Sequence, residues 1–370
     1  MAMKQYPFLY KIFLDFAYAK IGKMVTYSCI IIQSLALQLQ VYFIVTHFSK
    51  ELIVKYGPGV LVVTYLVTSL VVELMIENKT RKIIDFARLT FWPTDFCGLE
   101  AKNRLIKNSS KVSIVIYLIL MWFAAQGIVM FPVWGDTSEW RLHVEIFDQW
   151  KLFYYIYVST FTIIVFSAVR LPGILLYSIF QTHMQIVLIN QKITQISQND
   201  PNDIRMMNQT GYQKRIYKEM CLCVSQHIAI KRFIKKLLEI VRPVQPIFMV
   251  LGLLGVISIF FFALYNLENT SNILKIRLVM VVISCILILC LFAEAGQAVS
   301  DETSRVFDTL LTCPWYLWDQ RNKKALAIFL SNSLQPISFS MAGFTLNYGF
   351  GISMLRNSAS YALILYKMKN

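Results

Sequence analysis

The segment PVQPIFMVLGLLGVISIFFFALYNL, residues 243–267, decides the class of fold because it runs for 25 residues without a charged side chain. The hydrocarbon core of a bilayer is about 30 Å thick, so a helix crosses it with roughly 20 mostly apolar residues. Other uncharged runs of comparable length lie on both sides of this segment. They predict six membrane spans, near residues 24–47, 57–76, 112–133, 152–176, 244–265 and 276–293.

The composition of the whole chain agrees with a polytopic, all-α membrane protein. Of its 370 residues 56% are hydrophobic and 15% charged, and the mean hydropathy is +0.54. A soluble domain carries about 25% charged residues, so these values exclude a conventional soluble enzyme. The net charge of +15 does not indicate nucleic-acid binding, because the basic residues are spread between apolar runs. The seven cysteines are too few and too scattered for a disulfide-rich secreted scaffold.

The Lys and Arg counts of successive loops predict the orientation in the membrane. From the N-terminal tail to the segment after span 6 they are 4, 2, 8, 2, 10, 2 and 4. Loops rich in Lys and Arg stay in the cytoplasm. We therefore predict a cytoplasmic N-terminus and, after seven spans, an extracellular C-terminus, opposite to a G-protein-coupled receptor. Of four N-glycosylation sequons, only that of Asn269 falls in a predicted outer loop.

Two regions leave alternatives open. The link of residues 177–243 is too long for a simple turn and contains apolar residues at helical spacing, from Ile230 to Val241, among basic ones. It is either a solvated basic face near anionic lipid or a helix that continues span 5 into the cytoplasm and packs on the end of span 6. After Lys324, one long span, two spans, or a span plus a buried helix all fit, with Gly343 and Gly349 marking a break.

No arrangement of residues indicates catalysis, a cofactor or a metal. The four histidines lack the H-E-x-x-H spacing of zinc sites, and no phosphate-binding or dinucleotide-binding glycine motif occurs. Glu73 and Arg170 lie near the inner ends of spans 2 and 4. Charges inside a membrane are usually functional, but at this depth both side chains could equally snorkel to the interface.

The outer halves of spans 2, 3, 4 and 6 carry no full charge. Helices lined in this way could enclose a small, neutral, largely apolar ligand fixed by one or two polar groups. For any single residue, however, helix packing or lipid contact is the better explanation. The predicted ligand-binding residues are Tyr65, Ser69, Met121, Trp122, Ala125, Gln126, Tyr154, Tyr157, Val158, Phe161, Val279, Val282, Ile283 and Ile286.

One face of the last helix is polar in its middle and apolar at its outer end. A symmetric bundle that turned this face inward would form a wettable conduit closed by Ile364 and Met368, and hydrophobic constrictions can gate by dewetting. A helix simply packed on its neighbours explains the spacing equally well. The residues of this face are Phe350, Ser353, Asn357, Tyr361, Ile364 and Met368.

Several loose motifs near the C-terminus occur in an order that is specific as a whole. They are Cys313-Pro314-Trp315 with Trp318, Arg321 and Lys323-Lys324 before Leu326, then Pro336, Gly343-Phe344, Asn347, Phe350 and Ser360-Tyr361. In this order they resemble the insect odorant receptors. The chain length, the inverted seven-span plan and the long cytoplasmic link agree with that resemblance.

The resemblance implies a tetrameric, odorant-gated, non-selective cation channel in the plasma membrane of olfactory sensory neurons. It implies a cytoplasmic anchor helix near residues 322–342 and a pore-lining seventh span near 347–368, with Ile364 and Met368 at the outer gate. Residues 1–300 would then hold spans 1 to 6, the outer ligand cavity and the cytoplasmic helix extensions. Residues 301–370 would hold the anchor helix and the pore span.

The residues at the end of the chain bear on the class of member. Related gustatory receptors carry Thr-Tyr where this chain has Ser360-Tyr361, and the shared co-receptor carries Gln where it has Lys367. Four copies of Lys367 beside a cation pathway would repel the permeant ions. We therefore expect a ligand-specific subunit that assembles with the co-receptor in a hetero-tetramer, with a homomeric gustatory-type channel or a small-molecule transporter as alternatives.

Overall fold

Long α-helices make up most of the molecule. The computed structural model describes residues 19–129, 150–198, 210–266, 271–341 and 344–367. In these residues the helices are α1 (Lys20–Thr46), α2 (Lys50–Thr90), α3 (Leu99–Val129), α4 (Lys151–Gln198), α5 (Thr210–Val241), α6 (Gln245–Asn266), α7 (Asn272–Leu311), α8 (Gln320–Ser333) and α9 (Tyr348–Lys367). A 3-10 turn, Trp315–Leu317, precedes α8, and a short antiparallel pair of strands, β1 (Ser340–Met341) and β2 (Phe344–Thr345), precedes α9.

Side-chain caps mark the starts of several helices. Ser49, Ser271 and Asp319 each accept a hydrogen bond from a backbone N–H in the first turn of α2, α7 and α8. Such caps satisfy a donor that has no partner within the helix and stabilise it by about 1 kcal/mol. The Asn347 side chain accepts the Phe350 N–H in the same way, at 2.9 Å, at the start of α9.

Five of the described helices, α1, α2, α4, α6 and α7, are long and apolar enough to cross a membrane. Helices α4 and α7 also run well past the predicted ends of their spans, at residues 176 and 293, and continue to Gln198 and Leu311. Their extensions meet α5, α8 and the second half of α2 in the larger of two clusters of buried apolar side chains. We call this bundle the helix-extension bundle. It contains a helix of the long link between spans 4 and 5, as one of the two alternatives for that link predicted.

Helix α5 differs from its predicted form in two respects. It ends at Val241 and a turn separates it from α6, so it does not continue span 5 as one helix. Pro243 explains the break, since proline lacks an N–H and disfavours a helical conformation in the residue before it. Its buried face, which includes Phe233 and Leu237, packs mainly on α2, α4 and α8, and not on the end of α7 as predicted.

The anchor helix α8 is shorter than predicted. It ends at Ser333, whereas the prediction extended it to residue 342. Pro336 limits the helix because proline lacks an N–H and disfavours a helical conformation in the residue before it, as at Pro243. The chain instead forms the β1–β2 pair, in which Ser340 lies opposite Thr345.

The helix-extension bundle contains a buried histidine. His227 of α5 lies beside Phe329 of α8, with 5.4 Å between the ring centroids. Only 1% of the His227 surface is exposed. Burial, with a smaller contribution from Lys231, lowers the pKa of His227 from 6.5 to about 4.

We predict that acidification destabilises the helix-extension bundle through His227. Below about pH 6.5 the unfolded chain binds a proton at this residue, whereas the folded protein does so only near pH 4. The contribution of His227 to the free energy of unfolding is therefore fully present above pH 6.5 and decreases towards pH 4. At pH 5 the free energy of unfolding is ~2 kcal/mol lower. Thermal unfolding at pH 7.5 and at pH 5 measures this loss. Wild type should show it, and so should the control variant His47→Gln, in which the replaced histidine is exposed. An equal loss in His227→Phe would contradict the assignment.

Candidate functional site

Polar side chains join α3 and α7 within their predicted membrane segments. The Trp122 Nε1–H donates to Ser284 Oγ at 2.9 Å, and Ser284 Oγ donates to Gln126 Oε1 at 2.7 Å. The Arg277 Nε–H donates to the carbonyl oxygen of Val129 at 3.0 Å, at the end of α3. Ser284 and Gln126 are buried. A buried polar group within an apolar wall is the arrangement that orients a small ligand.

Sequence reasoning missed Ser284, although it named neighbouring positions on the same helix. The signal was available, since Ser284 is the only hydroxyl side chain in the uncharged run of residues 278–293. An isolated hydroxyl in a membrane helix needs a hydrogen-bond partner, and Ser284 has partners on both helices. One of them is the carbonyl oxygen of Met280, at 2.8 Å.

The predicted residues of α4 lie against α1 and α2. Tyr154, Tyr157, Val158 and Phe161 are buried in the smaller apolar cluster, which α1, α2 and α4 form together. The Gln40 side chain of α1 donates to the hydroxyl oxygen of Tyr157 at 3.3 Å. Helix α1 was absent from the predicted cavity, so this contact is one that the sequence did not suggest.

The other predicted ligand residues are distributed over several environments. Tyr65 packs edge-on against Phe248 of α6, with ring centroids 5.4 Å apart, and Ser69 is buried. Trp122 and Val282 are half-buried. Five predicted positions are exposed in this chain: Met121, Ala125, Val279, Ile283 and Ile286. The structure thus brings together Trp122, Gln126 and Ser284 of α3 and α7, which we call the Ser284 junction, and holds the α4 residues in a separate cluster.

Helix α9 has one packed face and one open face. Gly351, Ser358 and Ala362 are buried, and the helix packs on α6 and α7. The predicted pore residues lie elsewhere on its circumference: Phe350 is half-buried, and Ser353, Asn357, Tyr361, Ile364 and Lys367 are exposed. Met368 and Asn269 lie outside the described residues. A helix that buries one side and leaves a polar stripe open can line a space shared with other subunits.

The start of α9 is held tightly on α7. The Tyr348 hydroxyl donates to the Glu294 carboxylate, and Gly296 lies so close to the chain at Leu346 that a β-carbon there would be 2.8 Å from Leu346 Cβ. Helix α7 also carries Ser284, which precedes Glu294 by nearly three helical turns. A displacement of α7 at Ser284 would therefore act directly on the entry to α9.

The two intramembrane charges form a buried ion pair. Arg170 Nη2 contacts Glu73 Oε1, with 4% and 0% of the side chains exposed. The snorkelling that the sequence left open is therefore wrong, because the partner is in the neighbouring helix and not at the interface. One turn further along α2, Glu77 pairs with Lys23 of α1 at 2.7 Å and with Arg81 at 3.1 Å. Within the described part of the chain, no cluster of His, Cys, Asp and Glu could hold a metal ion.

Comparisons with known proteins agree with this architecture. The family model described as "7tm Odorant receptor" matches residues 98–359. No curated protein matches the sequence. The structure of the insect olfactory receptor OR5 from Machilis hrabei has a TM-score of 0.75 at 13% identity, over 94% of this chain and 90% of that chain. The same receptor in complex with eugenol gives 0.67 at 12% identity, over 95% and 91%. At these identities the likeness shows the shared seven-helix membrane fold.

Proposed function

Because the chain belongs to the 7tm odorant receptor family, we propose that it is the odorant-specific subunit of a ligand-gated, non-selective cation channel. Membership places it among multi-pass membrane receptors and not among enzymes. The finer part of the proposal is that it assembles with a co-receptor subunit as a hetero-tetramer in the plasma membrane of olfactory sensory neurons. Its N-terminus would be cytoplasmic and its C-terminus extracellular, as the alternating Lys and Arg counts suggest.

The observation that carries the channel proposal is the open polar stripe of α9. Ser353, Asn357 and Tyr361 are exposed in the chain, while the opposite side of the helix is packed on α6 and α7. Exposed polar side chains in the middle of a membrane helix are unfavourable against lipid. Turned towards the axis of a tetramer, they would line a water-filled path instead, and Ile364 would form part of an apolar constriction near its outer end.

The proposed ligand is a small, neutral, volatile organic compound. The OR5 receptor of similar fold has been solved with eugenol bound, and the Trp122–Ser284–Gln126 junction offers one neutral polar group in apolar surroundings. A ligand opens the channel only if it binds the open arrangement more tightly than the closed one. We propose that this differential binding moves α7, and that the Glu294 and Gly296 contacts pass the movement to α9.

The co-receptor requirement is tested by whole-cell current with an odorant panel, recorded with and without the co-receptor. Current only when both subunits are present supports the proposal and begins to identify the ligand. Current from this chain alone would support a homomeric gustatory-type channel and contradict the interpretation of Lys367. Saturable uptake of a compound without current would support a transporter.

We predict that Ile364→Ala raises the basal current several-fold. Removing three carbon atoms from an apolar constriction widens it and lets water enter, which lowers the barrier to ions. The matched control is Leu363→Ala, because the two neighbouring side chains are equally exposed, at 50%, and point in different directions around the helix. Equal basal currents in the two variants, at equal surface expression, would argue against a gate at Ile364.

A further inference from the structure

A cleft that borders the Ser284 junction at Trp122 lies between α3, α7 and α9. It has a volume of about 930 Å³ and is lined almost entirely by apolar side chains. Its walls include Leu118 and Trp122 of α3, Cys290 of α7 and Ile352 of α9. Glu294 and Tyr348 also line it, and they are its most polar residues.

The positions of the lining residues place the cleft at a definite depth. Within the membrane segments predicted from the sequence, they come from the first half on α3 and α9 and from the last half on α7. All three helices therefore contribute the half nearest the helix-extension bundle. Glu294 and Tyr348 lie at the ends of these segments, where lipid headgroups begin. The apolar walls therefore lie at the depth of acyl chains.

The carboxylate of Glu294 has an unused capacity for a cation. It accepts a hydrogen bond from the Tyr348 hydroxyl, and it forms no ion pair with any residue that the structure describes. The side chain is exposed. An ionised carboxylate attracts an ammonium group and forms a charge-assisted hydrogen bond with it, whereas it repels an anionic headgroup.

We propose that this cleft binds a phospholipid of the cytoplasmic leaflet through an ammonium headgroup on Glu294 and an acyl chain along α3, α7 and α9. The assignment of the leaflet rests on the orientation given under the proposed function. The site differs from the proposed odorant site in its polar groups, since Glu294 lines the cleft and Ser284 and Gln126 do not, although Trp122 borders both. Because Tyr348 and Ile352 belong to α9, the lipid would touch the helix proposed to line the pore.

The test uses the full chain, purified with its co-receptor and reconstituted in nanodiscs of equal parts phosphatidylethanolamine and phosphatidylglycerol. After mild detergent extraction, native mass spectrometry counts the lipids retained. We expect wild type to retain phosphatidylethanolamine over phosphatidylglycerol by about tenfold, the size of one charge-assisted hydrogen bond. Retention of both lipids in equal amounts would overturn the proposal. The measurement requires neither an odorant nor a recorded current. A negative result for lipid retention can therefore be distinguished from a failure of the proposed channel function.

Variants distinguish the effect of the Glu294 charge on lipid retention from the effect of the shape of the cleft. Glu294→Gln can still accept the Tyr348 hydroxyl and should lose the headgroup preference, while Tyr348→Phe should keep it. The matched control is Glu239→Gln, which removes an exposed carboxylate from α5 and should leave the preference unchanged. Cys290→Trp fills the cleft and should abolish retention. Reduced subunit assembly with lipid retention intact in Cys290→Trp would make the cleft a subunit interface instead.

Discussion

Replacing Glu73 with glutamine should lower the free energy of unfolding by about 3–5 kcal/mol and remove most of the protein from the cell surface. The carboxylate of Glu73 is fully buried against Arg170, of which 4% is exposed. Without that carboxylate the buried guanidinium loses its Glu73 counter-charge in a medium of low dielectric constant. Removing one partner of a buried ion pair is costly, so α2 and α4 would separate or admit water at this point.

Two further variants show whether the effect comes from the buried charge. Glu77→Gln removes a carboxylate one turn away, but its partners Lys23 and Arg81 are partly exposed. Water can hydrate them, so the expected loss is at most about 1 kcal/mol. The double variant Glu73→Leu with Arg170→Leu should recover much of the stability, since buried pairs are often replaceable by apolar residues. Surface expression and thermal unfolding measure all three, and a Glu73→Gln variant as stable as wild type would contradict the buried pair.

Substituting Gly296 with alanine should displace the start of α9 and change both stability and channel opening. The added β-carbon would lie 2.8 Å from Leu346 Cβ and closer still to the carbonyl oxygen of Leu346. Backbone atoms cannot rotate away as a side chain can, so the two segments must move apart. Overpacking of this kind typically costs about 1–3 kcal/mol. Because Leu346 leads directly into α9, we expect an altered basal current and a shifted odorant dose–response curve.

The same substitution at Gly252 is the matched control for Gly296→Ala. Gly252 lies in the neighbouring helix α6, where a β-carbon would meet no atom within 4 Å. There alanine should be neutral or stabilising by up to about 1 kcal/mol, because it favours helix more than glycine does. Identical dose–response curves for Gly296→Ala and wild type would show that the close approach of α7 to the start of α9 has no part in gating.

The class of fold and the helices were predictable from the sequence because the relevant signals act along the chain. The bilayer imposes a length on uncharged runs, and the resemblance in the C-terminal motifs was confirmed by the family match over residues 98–359. The pore helix was expected at 347–368 and α9 is Tyr348–Lys367. The breaks at Pro243 and Pro336 were visible as well, although the predictions let helices pass over them.

The candidate site was predictable only in part. The list of ligand residues was drawn from the spans with uncharged outer halves, and it contained neither Ser284 nor any residue of α1, although both contact residues on it. Helical spacing defines which residues share a face, yet it does not say which neighbour that face meets. The assignment of ligand and pore residues therefore stays a prediction for the experiments above.

The sequence by itself determined that this chain is a bundle of membrane helices of the odorant receptor family. Hydropathy, the alternation of charge between loops and the order of the motifs can all be read along the chain. Only the tertiary structure decided that Arg170 pairs with Glu73, that Tyr157 faces Gln40 of α1, and that Gly296 admits Leu346. These partners lie between 50 and about 117 residues apart in the chain. Their meeting depends on the rotation and crossing of whole helices, which packing at all contacts sets together.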